Sequence, residues 1–173
     1  MSKYNFEQKR NDYLSPPELV DMALKYLKIQ EFDLDVCCSK TNIPAKKHFI
    51  DGTNNGLNED WEKYNWCNPP YDVADAWVEK AYKEQQKGNF TAMLIPARTE
   101  TKYWHDYILD KKKVKIKWLR KGYRFIDPDT GEYMGIYKNA LAIVYFKGEK
   151  PKVQKDSRYI QVGLFKDEEI KKM

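Results

Sequence analysis

The eight residues Tyr64-Asn65-Trp66-Cys67-Asn68-Pro69-Pro70-Tyr71 decide how the rest of the chain is read. The first four have the character of a short strand, and a helical pattern starts immediately after Tyr71. Proline fixes its own φ, lacks an N–H, and drives the residue before it out of the helical region. Asn68 and Pro69 are therefore confined to extended geometry, and the strand ends in a stiff corner that offers carbonyl acceptors. An Asn side-chain carbonyl and a backbone carbonyl together can accept both protons of a planar amino group. That arrangement aims the nitrogen lone pair at an electrophile such as a methyl group on a sulfonium. Tyr71 adds an aromatic face on which a flat base stacks. The plain alternative is a structural turn, since Pro-Pro turns are common. The strand before, the helix after and an acid upstream favour chemistry.

Working outward, elements alternate between strand and helix, which predicts an α/β fold with a mostly parallel central sheet flanked by helices. Ser15, Pro16 and Glu18 form a capping box for a first helix carrying Leu19, Ala23, Leu24 and Leu27 on one stripe. Phe32 to Cys38 reads as a buried strand, and the stretch from Pro44 to Asp60 reads as loop. After the corner, Asp72 is placed to cap a helix whose buried stripe is Val73, Ala76, Trp77 and Ala81, ended by Gly88-Asn89. A strand from Phe90 to Ile95, a helix holding Tyr103, Trp104, Tyr107 and Ile108, and a strand from Val114 to Leu119 follow. In that last strand Val114, Ile116 and Trp118 alternate with Lys115 and Lys117, giving one wet, basic face. Asp129-Thr130-Gly131 marks a turn between ribbon strands, and Ala140 to Phe146 is a buried strand. Trp66, Trp77 and Trp118 are all expected inside. One catalytic domain is expected over 1–147, with a basic strand or ribbon at 111–135 and a polar extension at 148–173.

At 173 residues, with 42% hydrophobic and 33% charged residues, the chain is long and apolar enough for one globular core. The longest apolar run, Ala140 to Phe146, is far too short to cross a bilayer, and the N-terminus lacks a signal-peptide core. No membrane association and a cytoplasmic location are expected. Cys37, Cys38 and Cys67 lack metal-ligand spacing and read as small buried hydrophobes, while His48 and His105 are too few and isolated to suggest a metal site. Net charge is +5, yet Asp110 to Arg124 alone holds eight lysines and arginines against one acid. The rest of the chain is thus slightly acidic. So dense a cluster suits a polyanion, although a solvated face of a lysine-rich protein has the same composition.

The order of motifs then points to a family. A capped helix leads to Leu34-Asp35-Val36-Cys37-Cys38-Ser39, then Asn58-Glu59-Asp60-Trp61, then Asn-Pro-Pro-Tyr, then Leu94-Ile95-Pro96-Ala97-Arg98-Thr99. This series resembles the amino-methyltransferases, and most of all the phage-type DNA N6-adenine methyltransferases, over roughly Tyr13 to Lys147. The resemblance implies a Rossmann-like fold with S-adenosyl-L-methionine lying over the carboxyl ends of the strands. It implies a phage- or prophage-borne enzyme acting on double-stranded DNA in a bacterial host. By match, Ser15 and Pro16 border the methionine end of the cofactor. Asp35, with Cys37 and Ser39 on the same strand end, lies near that moiety, and Asp60 and Trp61 approach the adenine. Asn68, Pro69, Pro70 and Tyr71 match the catalytic motif. Two departures stand out: the loop from Ser39 to Ile43 has no glycine, and the ribose-binding acid is hard to place, with Asp51 a candidate.

The implied reaction needs an adenine rotated out of the duplex, stacked on Tyr71 and oriented by Asn68 and the Pro69 carbonyl for in-line attack on the methyl. No metal is required, because the donor is already activated. Arg98, Lys113, Lys115, Lys117, Arg120, Lys121 and Arg124 are the candidate DNA contacts, with Arg98 equally able to pair with Glu100. Other readings stay open: the same corner serves methylation of RNA bases or of protein glutamine, and a non-catalytic DNA-binding module would keep the fold.

Overall fold

The computed structural model describes residues 12–50 and 55–148. Within them a six-stranded sheet is built from β1 (Phe32–Cys38), β2 (Ala45–Ile50), β3 (Tyr64–Cys67), β4 (Phe90–Pro96), β5 (Val114–Trp118) and β8 (Leu141–Phe146), in the order β2-β1-β3-β4-β8-β5. β2, β1, β3 and β4 pair in parallel, whereas β8 runs antiparallel to both of its neighbours. β6 (Arg124–Ile126) and β7 (Tyr133–Ile136) form a separate antiparallel hairpin. Asp51 and the extension from 149 onward lie outside the described residues.

Both faces of the sheet are covered, as the apolar composition of its central strands requires. α1 (Pro17–Leu27) buries Leu19, Val20, Ala23 and Leu24 against Trp66, Ala92, Leu94, Ile143 and Tyr145. On the other face, α2 (Ala74–Gln86) and α3 (Lys102–Tyr107) bring Trp77, Val78, Ala81 and Trp104 against Cys67, Met93, Ile95, Val144 and Phe146. The alternation along β4 and β8 is that of strands buried on two sides. No helix among the described residues is long and apolar enough to cross a membrane.

Several local expectations change. Ser15 does not cap α1: Pro16 holds that position with no side-chain cap, and the Ser15 hydroxyl instead accepts the Trp66 indole N–H at 2.9 Å. The region read as loop contains β2, an edge strand whose Lys46 and Lys47 reach Asp33 and Glu62. α2 turns Ala74, Trp77, Val78 and Ala81 inward, leaving Val73 and Ala76 exposed, because a single 3-10 turn at Tyr71–Val73 precedes the helix and shifts its phase. Val73, not Asp72, holds the N-cap position of α2. Trp118 is 53% exposed, since it ends an edge strand and finds only Trp104 to stack on. The basic segment is not one ribbon, because β5 belongs to the main sheet while β6 and β7 stand apart.

The inner stripe of α2 ends in a charge. Glu84 is 1% exposed and is held by Lys80 at 2.9 Å, Lys87 at 3.0 Å and the Asn89 amide at 2.8 Å. Burial pushes its carboxyl up, but the bonds from Lys80, Lys87 and Asn89 together win, so its pKa lies below the ordinary value. A depressed carboxyl stabilises the fold above its unfolded pKa, and that contribution is lost as pH falls through the folded value. Glu84→Gln is expected to lower stability at pH 7 by about 1–3 kcal/mol. The gap to the unmodified chain should close as pH drops below about 4.3, which urea unfolding at stepped pH measures.

Candidate active site

β1 has β2 on one side and β3 on the other, so the chain winds away from this pair in opposite directions. The loops after β1 and β3 part company and leave a crevice at the carboxyl ends of the strands, the place where open α/β sheets take ligands. A cavity of about 500 Å³ occupies it. Ser15, Asp35, Cys37, Ser39, Asn68 and Pro70 all line this space, with Gly56 and Trp77 on the far wall. Residues separated by more than fifty positions are thereby brought together.

A strap formed by residues 12–15 closes one side. The Ser39 hydroxyl donates to the Asp12 carbonyl at 2.9 Å, and the Asn42 amide donates to the Ser15 carbonyl at 3.0 Å. The Asn68 Nδ2 donates to the Tyr13 carbonyl at 3.2 Å, while its Oδ1 accepts the Tyr71 hydroxyl at 3.2 Å. A donor contact at one end and an acceptor contact at the other set the sense of the Asn68 amide. Since a carbonyl oxygen carries two lone pairs, Oδ1 keeps one for an incoming N–H. Pro69 is buried at the corner.

Tyr71 is stacked less openly than its sequence position implies. Its ring meets Phe125 at 6.2 Å and Tyr137 at 5.9 Å, both near perpendicular, so the hairpin side of the molecule forms an aromatic backing for it. Burial pushes the Tyr71 phenol well above its ordinary pKa, which keeps its proton available for Asn68. The strap and hairpin are themselves joined, because Leu14 and Ile126 exchange backbone hydrogen bonds at 3.0 and 3.2 Å.

Asp35 is 2% exposed, and its Oδ1 has no hydrogen-bond partner. Burial raises its pKa, with the neighbouring His48 offsetting part of the rise. His48 Nδ1 lies 3.7 Å from Asp35 Oδ2, and this contact raises the imidazole pKa. His48 is therefore not isolated, as its place in the sequence suggested, because strand pairing sets it directly across from Asp35. Cys37 lies 3.8 Å from Cys67, and burial pushes the Cys37 thiol well up; Cys37 lines the cavity, and Cys67 is buried behind it.

Other expected residues lie elsewhere. Pro16 is buried at the start of α1, beside the cavity but not on its wall. Asp60 points away: its side chain is 92% exposed and pairs with Lys87 at 2.9 Å, which holds its carboxyl low. Trp61 is buried instead, donating to the Gly56 carbonyl at 2.7 Å and stacking on Trp77, so it braces the wall from behind. Arg98 is exposed and donates to the Tyr71 carbonyl at 3.3 Å. Arg124 spans the hairpin to the carbonyls of Tyr133 and Met134. Lys115 and Lys117 lie exposed along β5, Arg120 and Lys121 in the exposed link to β6, and Lys113 precedes β5 with φ of 60°. Tyr13, Asn42, Gly56, Phe125 and Tyr137 belong to the site but were not anticipated. Tyr13 contributes a backbone carbonyl, which no side-chain pattern announces.

A family model described as "DNA N-6-adenine-methyltransferase (Dam)" matches residues 3–159 of this chain. The chain belongs to this family. It is 27% identical over 169 residues to a DNA N-6-adenine-methyltransferase of Haemophilus phage HP1, with 96% of both chains covered. It is also 34% identical over 91 residues to a DNA N-6-adenine-methyltransferase of Escherichia phage T1, covering 51% of this chain and 37% of that one. No solved structure matches it. Membership makes the chain a DNA N6-adenine methyltransferase, and as such an enzyme that draws on a methyl donor and acts on DNA.

Gly56 shows how tightly the cavity is built. A Cβ there would stand 2.1 Å from the Val36 carbonyl and 3.0 Å from the Trp77 ring. Gly56→Ala must therefore move the 55–59 turn off β1. A loss of about 1–3 kcal/mol is expected, read as a lowered midpoint in chemical unfolding.

Proposed function

We propose that the protein transfers a methyl group from S-adenosyl-L-methionine to N6 of an adenine rotated out of duplex DNA, on a Rossmann-like methyltransferase body. The observation that carries this reading is that Asn68 and Asp35 line one cavity at the winding reversal of the sheet. Its volume lies in the range of sites that take small ligands. The buried, unpartnered Asp35 Oδ1 fits a cationic amino group, as the amino-acid end of that donor carries. Ser15, Asp35, Cys37 and Ser39 would hold the methionine end, and the Gly56–Trp77 wall offers an apolar surface to the adenine end. The cofactor supplies a methyl group already activated as a sulfonium.

The chain's own residues then supply position. Asn68 Oδ1 accepts one N6 proton and the Pro69 carbonyl the other, turning the nitrogen lone pair toward the donor. The Tyr13 carbonyl prevents the amide from flipping, and the Tyr71 hydroxyl holds the oxygen in place. Extrusion of the base costs a few kcal/mol, of which stacking on Tyr71 returns about 1–3 kcal/mol. Orientation carries the rate, and no strong base is needed. Pro70 stiffens the corner and shapes the cavity wall. Asp60 is assigned no part, and Trp61 supports the wall only through Trp77.

For DNA, the exposed side of β5 with Lys115 and Lys117 leads through Arg120 and Lys121 to Arg124 on the hairpin that backs Tyr71. This series follows the phosphate backbone toward the corner, and Arg98 sits beside Tyr71 itself. Lys113 stands at the amino end of β5, away from the corner, and reaches phosphate only on a longer footprint. Residues 1–147 form the methyltransferase body in this reading, and 148–173 a polar extension. A phage- or prophage-borne enzyme of this kind works in the cytoplasm of the bacterial host.

Asn68→Ala should reduce transfer of labelled methyl to adenine in unmethylated duplex DNA by roughly 100–1000-fold, with cofactor affinity largely kept. An unchanged rate would remove Asn68 from the mechanism. Changing Lys115 and Lys117 together to Glu should weaken DNA binding and reduce the slope of log K against log salt by about 1.8, the share of two phosphate contacts. A slope equal to that of the unmodified chain would refute the β5 track.

A further inference from the structure

We propose that Asp35, Cys38 and His48 form a binding site for a zinc-like divalent transition metal on the wall of the cavity. The three ligand atoms, one carboxylate oxygen, one thiol sulfur and one imidazole nitrogen, all lie within 4.8 Å of one another. Asp35 Oδ2 and His48 Nδ1 are 3.7 Å apart, near the roughly 3.3–3.6 Å that tetrahedral zinc bonds of ordinary length impose on neighbouring ligands.

The backbone explains the convergence. Parallel pairing places His48 opposite Asp35, so their side chains share a face of the sheet. In a regular strand Cys38 would point to the other face, three positions on. Between Asp35 and Cys38 the register slips by one: Asp35 pairs with His48, but Cys38 pairs with Ile50. This bulge leaves Cys37 against Cys67 and swings Cys38 round to the side of Asp35. Bulges that re-aim a side chain are frequent beside functional sites.

Two of the three ligands also keep one atom without a hydrogen bond. Asp35 Oδ1 and His48 Nδ1 are both buried without a hydrogen bond. Asp35 as a residue is 2% exposed, and the His48 side chain is 17% exposed. A carboxylate and an imidazole left in this state form a poor ion pair at 3.7 Å but a good pair of metal donors. The donor set also selects the ion. Thiolate and imidazole suit zinc, cobalt and cadmium, whereas magnesium and calcium ask for oxygen alone. On binding, the Cys38 S–H bond breaks, its proton passes to solvent, and the thiolate forms the bond to the metal. Asp35 and Cys38 line the cavity, which gives the ion an entry path and an open fourth position.

Occupancy has a consequence that does rest on the function proposed above. Metal on Asp35 removes the carboxylate that would receive the cofactor, so metal and S-adenosyl-L-methionine exclude each other.

The test uses the full chain without cofactor. Cobalt(II) is titrated as a coloured stand-in, and zinc(II) is titrated by calorimetry. One ion per chain is expected, with a thiolate-to-cobalt charge-transfer band in the near ultraviolet. Cys38→Ser should abolish that band, and His48→Ala should weaken zinc by at least roughly tenfold. His105→Ala should leave both unchanged, and circular dichroism verifies that each variant is folded. In the unmutated chain, zinc should slow alkylation of Cys38 far more than that of Cys37, read by peptide mass spectrometry. Absence of micromolar binding, or binding that ignores Cys38 and His48, overturns the site and leaves an ion pair only. Zinc should also raise the Kd of S-adenosyl-L-methionine in the unmutated chain but not in Cys38→Ser. Stoichiometric zinc with unchanged cofactor affinity overturns the exclusion. A chain that binds zinc but no S-adenosyl-L-methionine upholds the metal site and sinks the functional reading instead.

Discussion

Two short parallel strands meet through the pairs Leu34–Asn65 and Asp35–Trp66, and what this protein can do depends on that contact. Because β1 sends the chain one way and β3 sends it the other, a crevice opens at their ends. Asn65 fixes the register from inside the core. Wholly buried, its amide donates to the carbonyls of Glu62 and Phe90 and accepts the N–H of Glu62. A buried amide satisfied in this way tolerates no slip, since a one-residue shift would orphan three hydrogen bonds and turn Trp66 out of the core. Asn68 is thereby held a fixed distance beyond the strand, opposite the end of β1.

The second structural theme is how many remote segments are tied to that corner by backbone rather than side-chain groups. Tyr13, Asp12 and Ser15 all contribute carbonyls to Asn68, Ser39 and Asn42. Leu14 at the same time joins the hairpin at Ile126. The strap is thus shared between the cavity and the aromatic backing of Tyr71. Phe125 and Tyr137 reach Tyr71 from the far end of the sequence, which lets the hairpin and the corner behave as one packed unit.

Much of this was legible from residues alone, and the failures share a cause. The Asn-Pro-Pro-Tyr corner, the buried strands at Phe32 and Phe90 and the Asp35 carboxylate announce themselves through proline stiffness and apolar runs, which are local properties. Ser15 was assigned to a helix cap because its hydroxyl is near one, but the Trp66 indole, fifty-one positions away, outbids the helix. β2 escaped notice because an edge strand with Lys46 and Lys47 satisfies its charges through Asp33 and Glu62, and so looks polar in sequence. Asp60 and Trp61 are adjacent, and only the turn at Gly56 determines which of them faces inward. His48 acquires a neighbour solely through strand register. In each case a contact across the fold outweighs the local pattern.

The two margins of the sheet carry a further implication. An open sheet exposes unpaired N–H and C=O groups along its outermost strands, and these can recruit a strand from another molecule. Here β2 bears Lys46 and Lys47, paired with Asp33 and Glu62, and β5 bears the exposed Lys115 and Lys117, so each rim among the described residues carries charged side chains. Charged side chains along both rims discourage edge-to-edge pairing with a second sheet. Each rim thus carries its own guard against a strand from another copy, through ion pairs on one and exposed lysines on the other.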